Sequence, residues 1–540
     1  MKKIIFSILF ISLFITLPGC TRQTKLKNKT ATIENVNKIG KNIKNIDLEF
    51  DRASFNKTLN ETLDKIIDAK EFNEIDDALY SLINKINDLS IKYYASQAIM
   101  DYDKNNTKYE EKYKNIRDSY NDYVSFYNKM IVELSNNDEY ISLFFSGYSQ
   151  EDIDYEVDMA RKKMDEKYIK LTEEIDDLIN EGNKVDIDIN KSTYDSKLLD
   201  ITFNFINKNK ELSELLGYDS YIDYADIERN RSYLRTDADD FVKNTKDYLV
   251  PLMNADNSFL NIKESFNKLS FAEQNYFIEF EISSIFDKDY YTLNLLKDYS
   301  KKIGGSYYRT FHDFIDKGNY VFASSDSSFD VAYSNTLLSY FGKGYQSATS
   351  VAHEFGHYYS YTNPLTATRS LDLNEFYSQS NEFLFTSYLE QNSSKNVIPV
   401  YNFKAKELID NACYTIVVGS ALREFEEEIY SKTLTNKEEI VEIWNKINTN
   451  NYKGILKEFW KIEYRYDLYY LSYATSVTGA INLYNQSKIN LNDGINKYIK
   501  AINNQNIDDD IEQILSKCGI YSPFDENAFK EIVKTLEEKR

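Results

Sequence analysis

One short run of this sequence gathers side chains suited to metal and acid–base chemistry: His353-Glu354-Phe355-Gly356-His357. The chain holds three histidines, and two stand here; His312 is the third. On a helix, positions i and i+4 share a face, so both imidazoles can reach one ion. Neutral imidazole suits Zn²⁺. Glu354 follows the first histidine directly, which sets its carboxylate beside the ion rather than on it, where a general base belongs. Zinc brings the pKa of a bound water towards ~7, and Glu354 can then take the proton as that water attacks a carbonyl. A catalytic zinc needs a third protein ligand and one open position. The segment Leu373-Asn374-Glu375-Phe376-Tyr377-Ser378-Gln379-Ser380-Asn381-Glu382 offers two carboxylates seven residues apart. Glu375 and Glu382 share a helical face, so one can bind the ion while the other hydrogen-bonds a ligand imidazole. Spacing leaves the choice open, with Asp372 a weaker third candidate.

These side chains need rigid elements to hold them. Gln346 to Tyr361 reads as the helix bearing the histidines, with Ser347 as its N-cap and Asn363-Pro364 as its stop. Val331 to Phe341 is rich in β-branched, Tyr and Leu residues and runs into Gly342-Lys343-Gly344, the pattern of a strand ending in a turn. Arg369 to Glu390 reads as a second helix. The N-terminal half is helical by periodicity. Ile75, Leu79, Leu82, Ile83, Ile86 and Leu89 line one face; Tyr109, Tyr113, Ile116, Tyr120 and Tyr127 line another. Clusters such as Asn136-Asn137-Asp138 separate the helices. Only 16 glycines and 5 prolines occur in 540 residues, which argues for long helices and against loop-rich β folds. The expected class is mainly α, with a small β-sheet beside the histidine helix.

The HEFGH run, followed by a helix reading E-F-Y-S-Q-S-N-E, resembles the thimet oligopeptidase and oligoendopeptidase family of zinc metallopeptidases. That family carries a Glu-x-x-Ser…Glu element after its HExxH helix, with the first Glu on the zinc. The resemblance therefore implies Glu375 as ligand beside His353 and His357, with Glu382 in support. The connecting loop is shorter than the family's, and a count from His357 alone would favour Glu382. Phe311 to Gly318, and the strand around Asn335-Thr336-Leu337-Leu338, resemble the family's approach to the histidine helix. Gly217-Tyr218-Asp219-Ser220-Tyr221 resembles its upstream helical region. The resemblance implies a large helical peptidase fold around a deep channel that admits oligopeptides and excludes folded proteins.

Tyr469-Tyr470-Leu471-Ser472-Tyr473 resembles the family's Tyr-rich segment, which supplies hydroxyls to the active site. Tyr466, Tyr470 and Tyr473 fall at i, i+4 and i+7, the spacing of one helical face. A phenol aimed at a developing oxyanion is a sound stabiliser, and Tyr473, then Tyr466, are the candidates. One position departs from the pattern. The family's histidine near the start of this segment is replaced by Glu463, and an anionic Glu cannot stabilise an oxyanion unless protonated. A catalytically weak or inactive zinc- or peptide-binding protein is therefore the alternative to a peptidase.

The ends and the charge bound the setting. Lys2 and Lys3 precede an apolar run, Ile4 to Leu17, closed by Leu17-Pro18-Gly19-Cys20. This resembles the signal peptide and lipobox of bacterial lipoproteins and implies lipidation at Cys20, with the body outside the cytoplasmic membrane. Residues 21–45 read as a basic tether, suited to anionic lipid heads. Residues 46–200 are expected to form an N-terminal helical lobe and 201–540 the zinc metallopeptidase region. A net charge of −21 argues against nucleic acid as a partner. Cys413 and Cys518 could pair outside the cell, but spacing does not say whether they approach.

Overall fold

The computed structural model describes residues 47–102, 107–146, 148–185, 187–191, 195–231, 233, 235–282, 291–316, 344–360, 370–505 and 509–540. All regular elements among these residues are helical, so the chain is mainly α. The expected strand, Val331 to Phe341, lies outside the described residues, as do Asn363-Pro364, Cys20 and the tether. Among the described residues no helix is long and apolar enough to cross a membrane.

The described chain divides into two compact units. One holds residues 47–173 with 312–316; the other holds the rest. The first is built on α1 (Arg52–Asp68), α2 (Phe72–Tyr102), α3 (Thr107–Leu134), α4 (Asp138–Phe144) and α5 (Gln150–Lys163). The apolar stripes read from the sequence form its core. Ile75, Leu79, Leu82, Ile86 and Leu89 of α2 are buried, as are Tyr109, Ile116, Tyr120 and Tyr127 of α3. The Asn136-Asn137-Asp138 cluster is a helix start: Asn137 Oδ1 accepts the Glu139 and Tyr140 amides at 3.0 and 3.3 Å and caps α4.

The second unit places the chemistry. Its relevant helices are α6 (Tyr221–Glu228), α7 (Tyr291–Ile303), the first seven residues of α8 (Gly305–Asp316), α9 (Gly344–Ser360), α10 (Leu371–Asn392), α11 (Ile398–Ser431), α12 (Glu463–Tyr466) and α13 (Tyr469–Ile489). The histidine helix is α9, and it is already formed at Gly344. Ser347 is thus an interior residue rather than the cap expected for it. Ser370 caps α10 by accepting the Leu373 amide. Helix α10 packs on α9, α11 and α13 and is buried nearly all round. A helix surrounded on every side carries no single apolar stripe, which is why its polar residues face inward as well as its apolar ones.

Two glycines set the distances between these helices. A Cβ on Gly356 would meet Ser378 Cα at 2.6 Å and Tyr377 O at 2.7 Å, so α9 and α10 touch backbone to backbone within the HEFGH run itself. A Cβ on Gly419 would meet Tyr470 O and the Ala474 Cβ at 2.6 Å, which brings α11 equally close to α13. Asn381 of α10 ties the same layer together. Its Nδ2 donates to Ala352 O at 2.5 Å, and its Oδ1 accepts from Tyr299 and Tyr307 at 2.8 and 2.7 Å. Cys413 and Cys518 are both buried free thiols, not a disulfide.

Candidate metal centre

The close approach at Gly356 brings the two histidines of α9 against the carboxylates of α10. One ligand atom from each of His353, His357 and Glu375 lies within 4.8 Å of the others, and all three residues are buried. Glu375 Oε2 is 3.6 Å from His353 Nε2 and 3.8 Å from His357 Nε2. Around a tetrahedral zinc with bonds of about 2.0–2.2 Å, ligand atoms stand roughly 3.3–3.5 Å apart. The trio is therefore close to the spacing such an ion requires.

The outer nitrogens are held by different partners. His353 Nδ1 meets Glu382 Oε1 at 2.6 Å, and His357 Nδ1 meets Asn374 Oδ1 at 2.9 Å. Both partner oxygens accept, so each Nδ1 carries the hydrogen and each Nε2 keeps its lone pair. Among the described residues His353 Nε2 has no hydrogen-bond partner although it is buried. A buried lone pair costs free energy unless something occupies it, and a cation between three such donors satisfies all of them. The residues present fit zinc.

Burial shapes the proton affinity of both rings. For His357 it lowers the pKa to about 4, against the pull of Glu375. For His353 burial acts the same way, but the Glu382 hydrogen bond and the charges of Glu382, Glu354 and Glu375 outweigh it and the pKa is raised. Glu354 itself is buried on α9 between the two histidines in sequence.

Asp372, the weaker ligand candidate, is engaged elsewhere. Its carboxylate accepts from Ser472 Oγ at 3.1 Å and from Thr475 Oγ1, and it pairs with Arg231 at 3.7 Å. Every one of those partners is remote from the histidines in sequence, so only the fold could show where Asp372 is spent.

The tyrosine segment differs from its helical reading. Tyr466 ends α12, Asp467 and Leu468 form a turn in which Leu468 adopts the left-handed conformation at φ 53°, and α13 starts at Tyr469. Tyr466, Tyr470 and Tyr473 therefore do not lie on one continuous helix face. Tyr473 is half-buried with its ring 6.4 Å from that of His353. Tyr466 is buried and packs on Tyr469 and Tyr470, at 6.1 and 5.9 Å between rings. The tyrosine that reaches the trio is Tyr469, whose hydroxyl donates to Glu375 Oε1 at 2.7 Å. Asn374 and Tyr469 both escaped sequence reasoning. The i−1 position of Asn374 to Glu375 was a usable signal; the contact of Tyr469 spans 94 residues, and only the likeness of its segment to the family's Tyr-rich one pointed towards it.

Glu463 is fully buried. Burial and the neighbouring charges of Glu426 and Asp467 drive its pKa well up, against the pull of Arg229. None of those neighbours belongs to the histidine site. His312 is exposed on α8 and is not part of the trio.

No family profile and no curated protein matches this sequence. Solved structures do share its fold. PZ peptidase A, solved with an inhibitor, aligns at a TM-score of 0.62 and 14% identity over 92% of this chain and 98% of its own. A chain described as a proposed oligoendopeptidase F aligns at 0.65 and 13% identity, with the same coverage. The oligoendopeptidase-F of Enterococcus faecium aligns at 0.56 and 14% identity over 90% and 98%. The resemblance read from HEFGH and its following helix thus extends to the fold of nearly the whole chain.

Proposed function

We propose that this chain is a zinc metalloendopeptidase that hydrolyses oligopeptides and is carried outside the cytoplasmic membrane by a lipid on Cys20. One observation carries the catalytic part: two imidazoles, each oriented through Nδ1, and one carboxylate oxygen converge in a buried site. The shared fold supports it, since the structures that align along the chain are named as peptidases. A small sheet beside α9 and a channel restricting substrates to oligopeptides belong to the same reading. They rest on the resemblance.

His353, His357 and Glu375 would hold the ion, with Glu382 and Asn374 fixing the rings. Bound zinc would supply Lewis-acid activation of water and of the scissile carbonyl. Glu354 accepts the proton of the attacking water and returns it to the leaving amine. In this reading Tyr473 donates its hydroxyl to the developing oxyanion, with Tyr466 the alternative donor. The acidic body weakly favours cationic peptides.

The test separates chemistry from binding. Glu354→Gln keeps all three proposed ligands and removes the base. It should retain zinc near the parent's occupancy and lose about 10²–10⁴-fold in kcat on an internally quenched peptide. Casein should be cut far more slowly than the short peptide. The second reading, a binding protein with little turnover, draws on Glu463 at the position of the family's histidine. It replaces ours if the zinc-loaded parent cleaves no member of a broad peptide library.

A further inference from the structure

We infer that Tyr469 is a positioning residue for the metal, its hydroxyl deciding which oxygen of Glu375 faces the two imidazoles. The inference rests on the zinc reading above. The two oxygens of Glu375 have different surroundings. Oε1 accepts from the Tyr469 hydroxyl at 2.7 Å, while Oε2 is the oxygen 3.6 and 3.8 Å from the two Nε2 atoms. Ser378 Oγ lies 3.4 Å from Oε2, but it donates to the Glu375 carbonyl at 2.9 Å. The terminal torsion of a glutamate is soft, so a carboxylate without such a donor can rotate and offer either oxygen or both. A phenol locked on Oε1 leaves one oxygen and one direction for an ion, and a fixed ligand binds without paying to be ordered.

The phenol is itself fixed by its place in the chain. It opens α13, directly after Leu468, which holds a conformation unfavourable for a leucine. That turn is gripped from both sides. Glu426 Oε1 takes the Leu468 amide at 2.6 Å, and Arg231 donates to the Leu468 carbonyl. The same guanidinium reaches Ser472 Oγ at 2.8 Å and Asp226 at 2.6 Å. Arg229 donates to the Asp467 carbonyl at 2.6 Å. The Tyr469 ring is seated against Tyr473 at 5.1 Å. Strain at one residue persists only where its surroundings over-determine it, and the result here is a hydroxyl aimed at Glu375.

Tyr469→Phe removes the hydroxyl and keeps the ring. Zinc affinity is measured by chelator competition on the full mature chain. The expected loss in Tyr469→Phe is about 10–100-fold, with thermal unfolding of the metal-free protein unchanged. Tyr473→Phe, the same subtraction one turn along, should bind zinc as the parent does. In a Glu375→Ala background, Tyr469→Phe should cost nothing further, because the carboxylate it holds is gone. Parent-like zinc affinity in Tyr469→Phe with slowed peptide cleavage would mean that the hydroxyl serves substrate, and would overturn the inference. An equal loss in the Glu375→Ala background would trace the effect to packing and overturn it as well. His353→Ala in the same titration tests the zinc reading separately: if it leaves affinity unchanged, that reading falls and takes the positioning role with it.

Discussion

At the scale of single residues, the site is asymmetric. His353 leans on a carboxylate and His357 on an amide. Only the first partner carries a charge, so it contributes more to the electron-donating power of its ring. Glu375→Ala should weaken zinc binding the more, leaving the two imidazoles to hold the ion measurably, while Glu382→Ala should weaken it by about 10–100-fold. A metal titration showing the reverse order would exchange their roles. A second residue-scale consequence concerns the buried pair Glu426 and Glu463. Burial pushes Glu426 up to about 8, against the pull of Arg423, and Glu463 is raised well above its ordinary 4.5. Both acids bind protons more tightly folded than unfolded. Their contribution is therefore complete below pH 4.5 and is lost as pH rises, for Glu426 through about 8. Glu463→Gln cannot ionise, so its stability should gain on the parent's between pH 5 and pH 9, with the gap closing towards pH 5. Denaturant melts at both pH values check this, and a gap that does not change with pH would refute it.

At the scale of elements, glycine sets how near two helices come. Gly356→Ala places a methyl 2.6 Å from a backbone carbon of α10, and backbone cannot swing aside as a side chain can. The expected cost is about 1–3 kcal/mol of stability, with weaker zinc binding because α9 and α10 must part. Thermal melts and chelator competition on the variant measure both. Elements also show what was legible beforehand. The HEFGH helix and its follower were legible because i, i+4 and i+7 relations are local and survive any tertiary setting. The two-helix stripes of residues 75–127 were legible for the same reason. The tyrosine face was not. Its periodicity was interrupted at Leu468 by Glu426 and Arg231, 42 and 237 residues away, and long-range contacts of that kind leave no mark in a local window. The partners that occupy Asp372 were hidden likewise.

At the scale of the whole molecule, the proposed lipid on Cys20 would place the acidic body on a basic tether. Cys20→Ser should release the protein from the membrane fraction or block its processing; unchanged fractionation and size on an immunoblot would count against the anchor. One further property follows from where the histidines stand. The chain spends two of its three imidazoles in a single buried site and leaves the third exposed on α8. Labelled with ¹⁵N at histidine alone, the protein becomes its own reporter, with three ring spin systems and almost no background. Zinc should move the ring-nitrogen resonances of two residues together and leave the third where it was. Acidification of the metal-free protein should then protonate His353 before His357, in line with the opposite directions of their pKa shifts. A spectrum would thus read occupancy and proton state of the site directly, without substrate and without mutation.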